Sequence, residues 1–239
     1  MIQRQLGIWE RAVFVDWHGV LSSDPFWRTI LDRRGRLPTM LRQELGRIFG
    51  GDSGISDLWM RGTVSTSELM RPLASSLHGN MKPDFLERRM LNDCQEMVVD
   101  EHLAALFTES QRRCWVVLAT DNVADFETAF RLSKRTPGSA GSTRRLRDTA
   151  TAFDDILCSG RIGVLKSEDP YAFFGPWLED RGLAFADALL VDDRADNCEA
   201  FERAGGASVL WPLAPDDRGA ALDIVRQFVA PPHQEPRFT

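Results

Sequence analysis

The stretch Ala12-Val13-Phe14-Val15-Asp16-Trp17-His18-Gly19-Val20-Leu21 decides how this chain is read. A short apolar run ends on a carboxylate, Asp16, and the chain turns at Gly19. In a parallel α/β sheet, the C-terminal end of a strand is where ligands and chemistry gather. Backbone alternation returns every second side chain to the same side, so His18 points back toward Asp16. A carboxylate and an imidazole so placed suit a nucleophile with an acid/base partner.

The runs Cys114–Ala119, Asp155–Cys158, Ala188–Asp192 and Ala207–Trp211 share the character of Ala12–Asp16. Most lead into a polar or glycine turn and then a helix-like segment. This alternation predicts a parallel sheet flanked by helices. Between the first two runs lie roughly ninety residues without a convincing strand, far more than a usual βα connection. Within them Thr39–Phe49, Ser65–Leu77 and Pro83–Leu106 space their apolar residues helically, with Pro38 and Ser65 at helix starts. An inserted helical subdomain is therefore expected. Ser133–Thr149 holds Pro137, Gly138, Gly141 and the basic residues Lys134, Arg135, Arg144, Arg145 and Arg147. It reads either as a solvated loop or as a basic flap reaching an anionic substrate. The tail, with Pro231, Pro232 and Pro236, is expected to be disordered over residues 231–239.

The 239 residues are 43% hydrophobic and 27% charged, ordinary values for a soluble globular protein. That length holds a core domain with a modest insertion. A net charge of −6 removes the electrostatic case for nucleic acid or an anionic membrane as main partner. Cys94, Cys114, Cys158 and Cys198 are widely spaced, with no CxxC pair, which indicates reduced thiols. There is no apolar signal-peptide region and no run of membrane-spanning length, so a cytoplasmic chain is expected.

Four candidate sites fall at strand ends or just beyond them: Asp16, Thr120 with Asp121-Asn122, Lys166, and Asp192-Asp193. A carboxylate can attack phosphorus and form an aspartyl-phosphate. Paired acidic residues suit Mg²⁺, which takes oxygen ligands. A hydroxyl at a helix N-terminus suits a phosphate oxygen, and a lysine supplies a point charge. Read alone, Thr120 is a helix cap and Lys166 a surface lysine. Asp192-Asp193 is harder to dismiss, because adjacent carboxylates behind a buried strand repel unless a cation joins them.

In order and spacing these segments resemble the haloacid dehalogenase (HAD) superfamily: DxDx[TV], Ser/Thr, Lys and an acidic pair. The corresponding residues are Asp16-Trp17-His18-Gly19-Val20, Thr120, Lys166 and Asp192-Asp193. Phe153 through Asp169-Pro170 looks like the third-motif region and Asp193 through Ala204-Gly205 like the fourth. Trp59-Met60-Arg61-Gly62-Thr63 with Ser65–Leu69 resembles the helical caps of the phosphatase branch. The resemblance implies a Rossmann-like parallel sheet flanked by helices, with an all-helical cap inserted after the first strand. The core would comprise residues 1–21 and 111–230 and the cap residues 22–110. It also implies a phosphatase with Asp16 as nucleophile, acting on a small phosphorylated metabolite. Mg²⁺ would be held by Asp16, the backbone carbonyl of His18, Asp192 and Asp193. Thr120 and Lys166 would orient and neutralise the phosphoryl oxygens, and Asn122 would position substrate. Of the seven tryptophans, packing on the sheet accounts for Trp9, Trp115, Trp177 and Trp211, and Trp17 and Trp27 are the candidates for lining the cleft, with Trp17 a substrate contact.

His18 departs from the pattern, since the family's phosphatases usually carry a second Asp there. Histidine either takes over the acid/base role, leaves a slow or specialised enzyme, or marks a silent fold that serves binding or regulation. Haloacid dehalogenases also lack the second Asp and need no metal, but the acidic pair here argues for Mg²⁺. Phosphonoacetaldehyde hydrolases need a Schiff-base lysine from the cap, where this chain offers only Lys82 before Pro83. His78 and His102 have no metal-ligand spacing with each other, and Glu168-Asp169 reads as a helix N-terminal acidic pair.

Overall fold

A computed structural model describes residues 9–50, 54–76, 83–138 and 143–230. Strand β1 (Ala12–Val15) is followed by helices α1 (Arg28–Leu31), α2 (Arg36–Phe49), α3 (Ile55–Met60), α4 (Thr66–Ser76), α5 (Pro83–Gln95) and α6 (Glu101–Ser110). Next come β2 (Trp115–Thr120), α7 (Ala124–Arg135), α8 (Leu146–Thr149), β3 (Asp155–Cys158), α9 (Ser159–Ile162) and α10 (Pro170–Glu179). The chain continues through β4 (Ala188–Asp192), α11 (Ala195–Arg203), β5 (Ala207–Leu210) and α12 (Arg218–Val229). The strands form one parallel sheet in the order β3-β2-β1-β4-β5. Among the described residues, no helix is long and apolar enough to cross a membrane.

β1 lies at the centre of this sheet and is buried along its whole length. Strands covered on both faces read as continuous apolar runs, which is why Ala12–Val15 shows no polar alternation. Val13 and Val15 join one apolar cluster with Leu41, Trp59, Met70 and Leu86 of the insertion. Ala12 and Phe14 join the opposite cluster with Phe173, Phe174 and Trp177 of α10 and Phe201 of α11. The insertion thus shares its core with one face of the sheet. Val15 stands beside Leu118 of β2 and Val191 of β4, so Asp16 emerges between the ends of both neighbours.

Local chemistry sets the helix limits. Ser65 Oγ accepts from the Glu68 backbone N–H while Glu68 Oε2 accepts from the Ser65 N–H, a reciprocal cap at the start of α4. The periodic segment Pro83–Leu106 is two helices rather than one. Asp100 breaks it, its Oδ1 accepting from the N–H groups of His102 and Leu103 to start α6. Glu168-Asp169 also divides its roles: Asp169 caps α10 through the Ala172 N–H, while Glu168 pairs with Arg61 of the insertion.

Where described, the basic segment is neither a free loop nor a flap over the site. Val98 and Arg145 form an antiparallel bridge, and Leu146 is buried at the start of α8. Arg145 and Arg147 both pair with Glu96, while Lys134 Nζ donates to the carbonyls of Phe153 and Asp154. Residues 139–142, the tail 231–239, His78 and Lys82 lie outside the described residues. His102 is exposed on the first turn of α6.

Candidate active site

Asp16 sits directly beyond β1, its backbone N–H held by the Val191 carbonyl at 2.9 Å. The loop from Gly163 to Asp169, after α9, carries Lys166 to the strand ends, and the Lys166 N–H is fixed by Asp121 Oδ1 at 3.0 Å. Lys166 is 1% exposed. Its ammonium donates to Asp16 Oδ1 at 2.9 Å, Asp192 Oδ2 at 2.5 Å and the Ala119 carbonyl at 3.1 Å. All three ammonium hydrogens are therefore matched, the condition under which a buried lysine stays charged. Burial alone lowers its pKa, but the carboxylates of Asp16, Asp192 and Asp121 outweigh that and hold it above the ordinary lysine value.

Asp192 ends β4 fully buried, its Oδ1 accepting from the Arg194 N–H and both oxygens accepting from Asn197 Nδ2. Asp193 lies on the open side. Its Oδ2 packs so close to Gly19 that a Cβ there would stand 1.9 Å away, and Gly19 has φ +82°. Only glycine meets both demands.

Asp16, Asp192 and Asp193 can each offer an oxygen within 4.8 Å of the others. Burial pushes the Asp16 carboxyl up to about 7, against the pull of Lys166 and with the push of Asp192. Burial and Asp192 likewise raise Asp193, and burial raises Asp121. Four carboxyls thus surround the Lys166 ammonium, and the Arg194 guanidinium, hydrogen-bonded to Asp196, acts on Asp121 and Asp193 only from a distance. Asn197 adds a buried Oδ1 with no hydrogen-bond partner. An all-oxygen donor set with surplus negative charge fits a hard divalent cation.

A cavity of about 420 Å³ opens above this cluster, lined by Asp16, His18, Asp121, Lys166, Asp193, Arg194 and Asn197 on one side. Pro25, Phe26, Leu45, Phe49 and Met60 line the other. The His18 ring is fixed at both nitrogens. Nε2 lies 3.1 Å from the Asp24 carbonyl, which can only accept, so Nε2 carries the hydrogen and Nδ1 the lone pair. Nδ1 faces Asn122 Nδ2 at 3.5 Å, and Phe26 meets the ring edge-on. Burial lowers the His18 pKa, opposed by Asp24.

Not every expected site residue reaches the cavity. Thr120 is buried at the end of β2 beside Cys158, and its neighbour Asp121 lines the cavity instead. Asn122 is buried and faces His18 rather than open space; its Oδ1 accepts from the Val123 N–H. Trp17 as a substrate contact is corrected. It is wholly buried against Phe126, with Nε1 donating to Met97 Sδ, because alternation sends it opposite to Asp16 and His18. Trp27 is also corrected: it stacks on Trp59 and donates to the Leu86 carbonyl inside the insertion. Phe26, one residue earlier, is the cleft residue. Asp121, Arg194 and Asn197 were within reach of sequence reasoning, as immediate neighbours of the motif residues.

No protein-family model and no curated protein sequence matches the chain. Solved structures do. A predicted HAD-like family hydrolase from Porphyromonas gingivalis aligns with a TM-score of 0.64 at 15% identity, over 90% of this chain and 98% of that one. The chain has the HAD-like fold. A HAD family enzyme from Bacteroides thetaiotaomicron, complexed with magnesium and inorganic phosphate, aligns at 0.59 and 14% identity, over 87% and 96%. A 2-haloacid dehalogenase from Pseudomonas syringae pv. Tomato aligns at 0.52 and 14%, over 84% and 86%. The HAD-like fold thus carries both phosphate-binding and dehalogenase neighbours, and the side chains at the strand ends must separate them.

Proposed function

We propose that the chain is a Mg²⁺-dependent phosphatase that hydrolyses a small phosphomonoester through an aspartyl-phosphate on Asp16. The convergence of Asp16, Asp192 and Asp193 within 4.8 Å, beside the buried Lys166, carries this reading. Asp16, Asp192, Asp193 and the His18 carbonyl would hold Mg²⁺, which supplies Lewis-acid charge for the phosphoryl oxygens. The magnesium- and phosphate-bound neighbour from B. thetaiotaomicron supports that cofactor. In the first step an Asp16 oxygen bonds to phosphorus and the ester oxygen leaves with its electron pair. In the second, water attacks phosphorus, the phosphoenzyme bond breaks and Asp16 is regenerated. Lys166 keeps Asp16 aimed and offsets charge on the phosphoryl group. Residues 22–110 would act as a cap over the core formed by 1–21 and 111–230, while Thr120 and Asn122, buried behind the cavity, would support Asp121 and His18 rather than touch the phosphoryl group.

His18 stands in for the usual acid/base Asp. With Nε2–H held by Asp24, Nδ1 is the nitrogen that would exchange protons once it leaves Asn122: protonated there at the start of the cycle, His18 would give that proton to the leaving oxygen in the first step and recover one from the attacking water in the second. The same two contacts favour a second reading, in which His18 is a tie between loops and the protein is a specialised or silent binder. The two differ in outcome. On the first, His18→Asp lowers existing turnover; on the second, the wild type is inert and His18→Asp creates activity. Phosphate release from an aryl phosphate with Mg²⁺, lost in Asp16→Asn and in excess chelator, tests the main proposal. Metal-independent chloride release from a 2-chloro acid would overturn it in favour of dehalogenation.

A further inference from the structure

The two sides of the cavity have opposite chemistry. Its floor is carboxylates, His18, Lys166, Asn197 and Arg194, whereas every described residue that the insertion contributes is apolar: Pro25, Phe26, Leu45, Phe49 and Met60. A phosphoryl group belongs on the floor, so whatever it is attached to faces the apolar side. We infer that the substrate's alcohol portion is itself apolar, an aryl or compact hydrocarbon alcohol rather than a sugar or nucleoside, a conclusion that rests on the phosphatase reading.

The wall is built rather than incidental. Trp59 supports it, 5.8 Å from Phe26 and 5.9 Å from Phe49 between ring centroids, and Trp27 stacks on Trp59 at 6.0 Å while meeting Phe26 at 6.2 Å. The Trp59 indole N–H donates to Thr66 Oγ1, whose hydroxyl donates to Asp125 of α7, so the wall is anchored to the core. Leu45 and Phe49 are one helical turn apart on α2 and present one face together. Phe49 remains 50% exposed at the mouth, apolar surface that an apolar ligand would cover. A sugar ring in the same place would lose water from its hydroxyls and find no described donor or acceptor on this wall to replace it, a penalty paid in affinity. The cavity of about 420 Å³ accommodates a group of roughly naphthyl size above the phosphoryl position.

The test compares 1-naphthyl phosphate with glucose 6-phosphate, with Mg²⁺ present, by phosphate release and by calorimetric binding to the Asp16→Asn variant. The expected result is kcat/KM at least about 100-fold higher for the naphthyl ester and binding stronger by a similar factor. Phe49→Ala should narrow that ratio about tenfold through KM, and Phe49→Leu should keep most of it. Equal or preferential use of glucose 6-phosphate overturns the inference and leaves the phosphatase standing. Tight naphthyl phosphate binding without turnover in the wild type supports the apolar wall and overturns the phosphatase. Absence of binding by either ester overturns the inference.

Discussion

The floor and the wall of the cavity are made by different rules. The floor is assembled from the ends of β1, β2 and β4 and from the segment that delivers Lys166, and each residue there has a chemical reason to be its own type. The wall comes from α2, α3 and the segment at Pro25-Phe26, where the requirement is only to be apolar and of suitable size. A floor residue replaced conservatively should abolish function. A wall residue replaced conservatively should change what is accepted.

The largest effect expected is that of Asp16→Asn, which keeps the shape and removes the proposed nucleophile. Turnover should fall by at least about 10³-fold while the far-UV spectrum is retained; residual turnover within tenfold of wild type would place the chemistry elsewhere. Chelation should match this loss and Mg²⁺ should reverse it. Lys166→Met leaves Asp16 and Asp192 buried without their shared cation, and denaturant titration should show about 3–5 kcal/mol lost. A loss under about 1 kcal/mol would mean that the carboxyls simply take up protons.

A pH experiment probes the same floor. The Asp16 pKa is raised in the folded state, from 3.8 to about 7, chiefly by burial. A group raised on folding stabilises most below its unfolded value and loses that contribution as pH climbs through the folded one. The metal-free protein should therefore lose melting temperature between pH 3.8 and about 7, and Mg²⁺ should oppose the loss. Stability that rises across that window would contradict the electrostatics described here.

The smallest effect lies at the wall's anchor. Thr66→Val removes the hydroxyl between Trp59 and Asp125, and should cost about 1–3 kcal/mol with a modest rise in KM for the naphthyl ester. An unchanged melting temperature would show that the link from the wall to α7 adds nothing to stability.

Much of the architecture was legible because it is periodic. Ala12–Val15 and Ala188–Asp192 are apolar runs buried at every position, as in a strand covered on both faces, while Asp155–Cys158 alternates as an edge strand; all three belong to one parallel sheet. The helical insertion was visible as a long stretch without strands. Its internal division was not: Pro83–Leu106 keeps one apolar rhythm, and only the Asp100 side chain, capping two backbone N–H groups, separates α5 from α6. Trp17 was misplaced because its neighbours on both sides face the site, although strand alternation itself assigns it to the core. Glu96 could not have been foreseen as the partner of Arg145 and Arg147, since those residues meet only through the fold.

By itself, the sequence determined the sheet, the inserted helices and the residues whose chemistry is tied to type: Asp16, Lys166, Asp192 and Asp193, with His18 as the departure. The sheet and the acidic pair follow from local rules, whereas Asp16 and Lys166 stood out only through the order and spacing of the four segments, which resemble the HAD pattern. Tertiary structure alone decided that Asp121 rather than Thr120 lines the cavity, that His18 is held by Asp24 and Asn122, and that the insertion turns an apolar wall to the acidic floor. Which of many apolar side chains faces a cleft depends on how helices pack, and packing is a property of pairs of elements rather than of any one segment.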